Sequence, residues 1–144
     1  MRMCIVVLAS MCATLVQAEA ESVNCLSTAP ADCQRSEIIG GNYAERSFSG
    51  GNFSGATLRD ATFARSELGV ALFDGARIER VNFSGANLVG SSFSKARLSE
   101  VDFSGANLRG ARFDEAVVDP AALELAHTCM TMMPDETINN QDCT

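Results

Sequence analysis

Val81-Asn-Phe-Ser-Gly-Ala-Asn-Leu-Val-Gly90 recurs as Val101-Asp-Phe-Ser-Gly-Ala-Asn-Leu-Arg-Gly110, with eight of ten residues identical at an offset of 20. Each decapeptide is itself a pair of five-residue units built around Phe83 and Leu88, or Phe103 and Leu108. The same phase runs outward in both directions. All nine aromatic residues occupy positions ending in 3 or 8: Tyr43, Phe48, Phe53, Phe63, Phe73, Phe83, Phe93, Phe103 and Phe113. Ile38, Leu58, Leu68, Ile78, Leu88, Leu98, Leu108 and Val118 fill the remaining centres, and Cys33 begins the series. The array therefore reads as eighteen uninterrupted units from Ala31 to Pro120.

Two residues before each centre stands a small one. Ala fills that position in ten of the eighteen units, and Arg46 is the misfit. The residue between is usually polar, as in Asn52, Asn82, Asn87, Asp102 and Asn107, and Gly often follows two after the centre. A period of five is neither helical nor that of a flat strand. Two inward residues spaced two apart are strand alternation for three residues, followed by a bend. Four such units close a square, so twenty residues make one coil. At a strand spacing of roughly 4.8 Å, the four and a half coils make a rod about 22 Å long. Two opposite faces then stack aromatics inside and two stack aliphatics. The core column is Phe53, Leu58, Phe63, Leu68, Phe73, Ile78, Phe83, Leu88, Phe93, Leu98, Phe103, Leu108 and Phe113. Large residues facing small ones fill a narrow bore, so the interior is a packed column rather than a ligand cavity. Arg46 marks an irregular first coil.

The ends read differently. Arg2, the apolar run Cys4 to Val16, and Ala18-Glu19-Ala20 have the form of a cleaved secretory signal over residues 1–20, with Ala18 as a second cleavage option. Thirteen residues are too few to span a bilayer as a helix, which takes about 20. No later segment is long and apolar enough for membrane insertion after cleavage. Export would leave Cys25, Cys33, Cys129 and Cys143, an even count that suits disulfides. Three pairings are possible, of which Cys25–Cys33 and Cys129–Cys143 are the local ones. Zinc would want closer ligand pairs or a second His beside His127. Residues 21–30 are assigned to an N-terminal cap and 121–144 to a C-terminal cap. Asp119 is placed to N-cap a short helix, Ala121 to His127, with Pro120 at its first position. Residues Met130 to Thr144 then return as an extended segment with a turn at Pro134-Asp135.

The units "ANLVG", "ANLRG" and "VDFSG" resemble the pentapeptide repeat family, whose units follow A-(N/D)-(L/F)-x-x. The resemblance covers residues 31–120 and implies an all-β fold, a right-handed quadrilateral β-helix with a short C-terminal capping helix. The tail "TMMPDETINNQDC" resembles the Cys-closed tail "TMPDG…NN…C" of some exported pentapeptide proteins, with Glu136 in place of the usual Gly.

Chemistry is sparse. A Ser-His-Asp arrangement would need His127, which sits in the cap; the Gly residues follow the turn rhythm, not a phosphate loop; and no carboxylate cluster has metal-ligand spacing. No enzyme activity, cofactor or metal is expected. The formal charge is −7, from 18 acidic and 11 basic residues. That balance excludes a nucleic-acid binder. Residues 31–120 contain twelve acids and ten bases, so the rod itself carries only −2. The family resemblance admits a DNA-mimic role at DNA gyrase or topoisomerase. A mimic this long would want roughly 13 negative charges, since duplex DNA carries one about every 1.7 Å. The favoured expectation is an exported structural or interaction scaffold, periplasmic, otherwise extracytoplasmic or secreted, with an unidentified protein partner. Stacked charges such as Asp60–Arg80–Glu100 and Arg59–Glu79 are read as surface pairs. The polar faces around Asn82, Ser84, Asn87, Ser104 and Asn107 are offered as partner surfaces.

Overall fold

A computed structural model of the chain describes residues 25–144. The leader expected over 1–20 lies outside these residues, as does the start of the N-terminal cap. Each five-residue unit makes one side of a coil. One side is regular enough to form the parallel strands β1 (Glu37–Ile39), β2 (Thr57–Arg59), β3 (Arg77–Glu79) and β4 (Arg97–Ser99). They pair in sequence order with a register of 20 residues, Ile38 on Leu58, Leu58 on Ile78, Ile78 on Leu98. The other three sides are bridged at the same offset, as in Asn52 to Leu72, Asn82 to Asp102 and Asn87 to Asn107. The all-β solenoid is therefore made of parallel rungs.

One unit explains the rest. Asn82 N–H donates to the Ala61 carbonyl of the coil before it, and Phe83 N–H donates to the Asp102 carbonyl of the coil after it. Ala86 N–H then donates back to the Phe83 carbonyl, closing a turn. The residue before Ala86, Gly85, has φ +65°. The positive φ recurs at the corners, not only where Gly stands: Arg35, Asp60, Arg65, Arg80, Lys95, Glu100 and even Val70 adopt it. The last is unusual, because a β-branched side chain is crowded in the left-handed region.

Every residue of the core column is buried, at most 6% exposed. Phe53, Phe73, Phe93 and Phe113 stack at 4.7–4.9 Å with planes within 7° of parallel. Tyr43, Phe63, Phe83 and Phe103 form a second stack at 5.0–5.6 Å. The two stacks meet edge to face, as in Phe93–Phe103 at 5.8 Å and 87°. Offset stacking within a face and T-shaped contact between faces are the two favourable arrangements of the ring quadrupole. The small positions let this happen. A Cβ at Gly51 would stand 2.8 Å from the Phe53 ring. Where Ser takes the small position its hydroxyl turns back, Ser66 donating to the Phe63 carbonyl and Ser91 to the Leu88 carbonyl. Arg46 keeps its carbonyl in the ladder, accepting from Glu67 N–H, while its side chain is exposed. Half-buried Tyr43 fills the space inside Gly41, where a Cβ would lie 2.6 Å from the phenol oxygen.

At the C-terminal end the helix α1 (Pro120–Glu124) starts as expected, with Asp119 accepting from Ala121 N–H at 3.0 Å and Pro at its first turn. It stops three residues short of His127. The reason is competition: the Leu125 carbonyl accepts from Gly105 N–H, and His127 N–H donates to the Ala106 carbonyl. The coil thus runs on past Pro120, where the sequence reading ends the array. Asn107 bridges to His127 and Arg112 to Met132, still 20 residues apart. Leu123, Ala126, Thr128 and Thr131 are buried at the inward phase. The tail then folds back as an antiparallel pair, β5 (Thr131–Met132) with β6 (Ile138–Asn139). Glu136 in its turn has φ +65°, the conformation that the usual Gly would take without strain.

Two stability measurements check this account. Phe83→Ala removes one ring from a stack and two edge contacts, and should cost about 3–5 kcal/mol by urea unfolding. Val70→Gly should raise stability, because about 1–2 kcal/mol of left-handed strain outweighs the added chain entropy of roughly 0.4–1 kcal/mol. A lower melting temperature for Val70→Gly would contradict it.

Candidate interaction surface

Since the column residues are sealed, any function must use the outer faces or the ends. The polar residue before each centre has a structural task. Asn52, Asn82, Asn87, Asp102 and Asn107 each accept, through a side-chain oxygen, the backbone N–H two residues on, at 2.8–3.2 Å. These are Asx turns that satisfy the N–H entering each corner. The polar faces offered as partner surfaces are therefore largely committed to their own turns. What the Asn side chains still offer is amide N–H, one of which Asn87 donates to Glu67 at 2.7 Å.

The charged rows follow the 20-residue offset. Arg80 donates twice to the Asp60 carboxylate, at 2.6 and 3.1 Å, while Glu100 acts on Arg80 only through space. Arg59 pairs with Glu79 at 3.0 Å and Arg65 with Glu45 at 2.7 Å. The hydrogen bond from Arg80 holds the Asp60 carboxyl below its usual range, with the Arg80 and Arg59 charges acting in the same sense. On another face Ser94 donates to Asp114 at 2.8 Å, Arg112 donates to the same oxygen at 3.1 Å, and Ser92 bonds Asp74. The Ser94 bond first, then Arg112, lowers the Asp114 pKa. Asp60–Arg80, Glu79–Arg59 and Glu45–Arg65 thus pair opposite charges one rung apart, whereas Arg77 and Arg97 stand in register as like charges.

A disulfide fastens the chain at each end. Cys25 is bonded to Cys33, which carries the first column position, and Cys129 is bonded to Cys143. His127 lies exposed on the coil beside Asn107, outside the helix that was expected to end there. Among the described residues, no group of His, Cys, Asp and Glu could hold a metal ion. No helix among them is long and apolar enough to cross a membrane. A cavity of about 520 Å³ opens at the C-terminal end, where Val118, Leu123 and Met133 meet the returning hairpin. A tail assigned to a separate cap gives no hint of this opening, whose mark in the sequence is the unbroken phase of Leu123, Thr128 and Met133.

The profile described as pentapeptide repeats matches eight copies over residues 76–115, within the phase that the coils share. Residues 76–115 are pentapeptide repeats. Among solved structures, a pentapeptide repeat protein of the Arabidopsis thaliana thylakoid lumen superposes with a TM-score of 0.56. It is 23% identical, over 72% of this chain and 69% of that one. A pentapeptide repeat protein from Nostoc is 19% identical over 72% and 88%, with a TM-score of 0.41. QnrB1, a plasmid-mediated fluoroquinolone resistance protein, is 20% identical over 60% and 52%, with a TM-score of 0.47. At these identities the likeness is one of fold. No curated protein is detectably similar in sequence.

The depressed carboxyls fix the sign of a pH dependence. Asp60, Asp114 and Asp135 all have pKa values below the ordinary carboxylate range. Their stabilising contribution is complete above the unfolded-state value of about 3.9 and is lost as pH falls through the folded values. Melting temperature should therefore be level from pH 7 to about 5 and fall below about 4. Asp60→Asn should shallow that fall, and added salt should weaken the Asp60 part of it.

Proposed function

We propose that this protein is an exported, non-catalytic interaction scaffold: a rigid rod, fastened at both ends, that offers its surface to a protein partner. The observation that carries the reading is the pair of terminal disulfides, Cys25–Cys33 and Cys129–Cys143. Such bonds persist in oxidising compartments and are rare where glutathione and thioredoxin act. The sequence at 1–20 supports the same location, and the filled bore and the turn-committed Asn residues support a role without catalysis. The DNA-mimic reading is disfavoured by charge. The rod's −2 is spread over rows in which acids face bases, as in Asp60–Arg80 and Glu79–Arg59, whereas a duplex presents an uninterrupted negative surface.

Fractionation of expressing cells tests the location. The protein should be recovered outside the cytoplasm, shortened by residues 1–20 or 1–18 and with no thiol free to react. An intact precursor in the cytoplasm with reduced cysteines would overturn the reading. In a supercoiling assay the oxidised protein should leave gyrase uninhibited at micromolar concentration; inhibition there would restore the mimic.

A further inference from the structure

The cavity at the C-terminal end is the place where the solenoid's own stacking rule is left unfinished. In the inner coils every large inward residue is covered by the next rung. At the end, Val118 and Met133 are only half-buried, and the tail brings Ile138 over them with half its own surface still in solvent. These side chains and Leu123 line an opening of about 520 Å³, a volume in the range of ligand and side-chain pockets, about 300–1,000 Å³. The backbone is unfinished too. Inner rungs bond upward as Ala96 does, whose carbonyl accepts from Val117 N–H, and as Leu98 N–H does, which donates to the Val117 carbonyl. The equivalent groups one rung on, the Ala116 carbonyl and Val118 N–H, have no partner among the described residues. An open rung with an apolar floor is a template for an added strand.

Charge selects the occupant. Residues 121–144 hold Glu124, Asp135, Glu136 and Asp142 and no Lys or Arg. Asp135 lines the opening. Its Oδ1 accepts from Thr137 Oγ1 at 2.6 Å and from Thr137 N–H at 3.1 Å, and the side chain is exposed. Two copies meeting end to end would bring these acids together. We propose that this end of the rod captures an extended segment of a partner protein carrying a large aliphatic side chain next to Lys or Arg. The aliphatic group enters between Val118, Leu123, Met133 and Ile138, the partner backbone pairs with Val118 N–H and the Ala116 carbonyl, and the cation meets Asp135. The inference rests on the interaction reading above and gives it a surface and a partner chemistry.

Methyl NMR of the disulfide-bonded protein tests it with three synthetic peptides: blocked Ser-Lys-Leu-Val-Lys-Ser, the same peptide with both Lys replaced by Glu, and the same with Leu and Val replaced by Ser. The first should shift the methyl signals of Val118, Leu123, Met133 and Ile138 saturably. The other two should bind at least about tenfold more weakly, the loss of one charge-assisted contact or one buried side chain. Asp135→Asn, which keeps the acceptor for Thr137, should weaken binding of the first peptide several-fold without changing the free spectrum. Ile138→Glu should abolish it. Absence of shifts at millimolar Lys peptide, equal binding of the Glu peptide, or sedimentation of the free protein as a dimer closed through these methyls would overturn the proposal. Binding is read on the purified protein, so its failure is separate from a failure of export in cells.

Discussion

The width of the bore governs this molecule. Each side of a coil admits one large side chain and one small one, and the large ones must lie flat on their counterparts 20 residues away. Phe73 has Phe53 below it and Phe93 above it at 4.8 and 4.7 Å, nearly parallel. An inserted residue anywhere in 31–120 would turn every later side chain to the wrong face, as a register slip does in a strand. The uninterrupted phase, the small residue two before each centre and the turn at each corner all follow from that constraint.

Much of this was legible in the residues. The five-residue phase located the column, the aromatic stacks and the bend, because burial in a narrow bore leaves a plain mark on side-chain size. The charge rows at Asp60–Arg80 and Arg59–Glu79 followed from the offset of 20. Three things were less visible. The corner conformation of Val70 and Arg65 leaves no mark, since long or branched side chains there are chosen for what they cover outside; Val70, for instance, lies 3.2 Å from where a Cβ on Gly90 would be. The Asx turns of Asn82 and Asn107 could not be told from free surface amides by composition. The last coil was hidden by its chemistry: Thr128 and Thr131 read as polar. Yet Thr131 is fully buried, its hydroxyl donating to the Leu108 carbonyl at 2.7 Å, so the inward phase survives a change of residue class.

Few places on the molecule are left for function. The interior is occupied, and no buried side-chain nitrogen or oxygen among the described residues lacks a partner. The Asn and Asp turn residues take up corner N–H groups, and rows such as Asp60–Arg80 and Glu79–Arg59 pair acid with base. What remains are outward amides, exposed apolar residues such as Ile39 and Val117, and the ends, where the repeating rule has no next rung. Function in such a protein belongs to its surface and its termination rather than to any single side chain.

The two disulfides take on another meaning in this setting. A protein whose rungs touch only their neighbours comes apart by fraying, one terminal coil at a time, because a terminal coil has one contact face instead of two. Cys25–Cys33 ties the chain's entry to the first coil, and Cys129–Cys143 ties its exit to the last. With both ends fastened, disassembly must begin where two faces are lost at once. Proteases, which cut chains that have first come loose, are thereby denied their usual starting points, and the rod's durability becomes a property of its two ends.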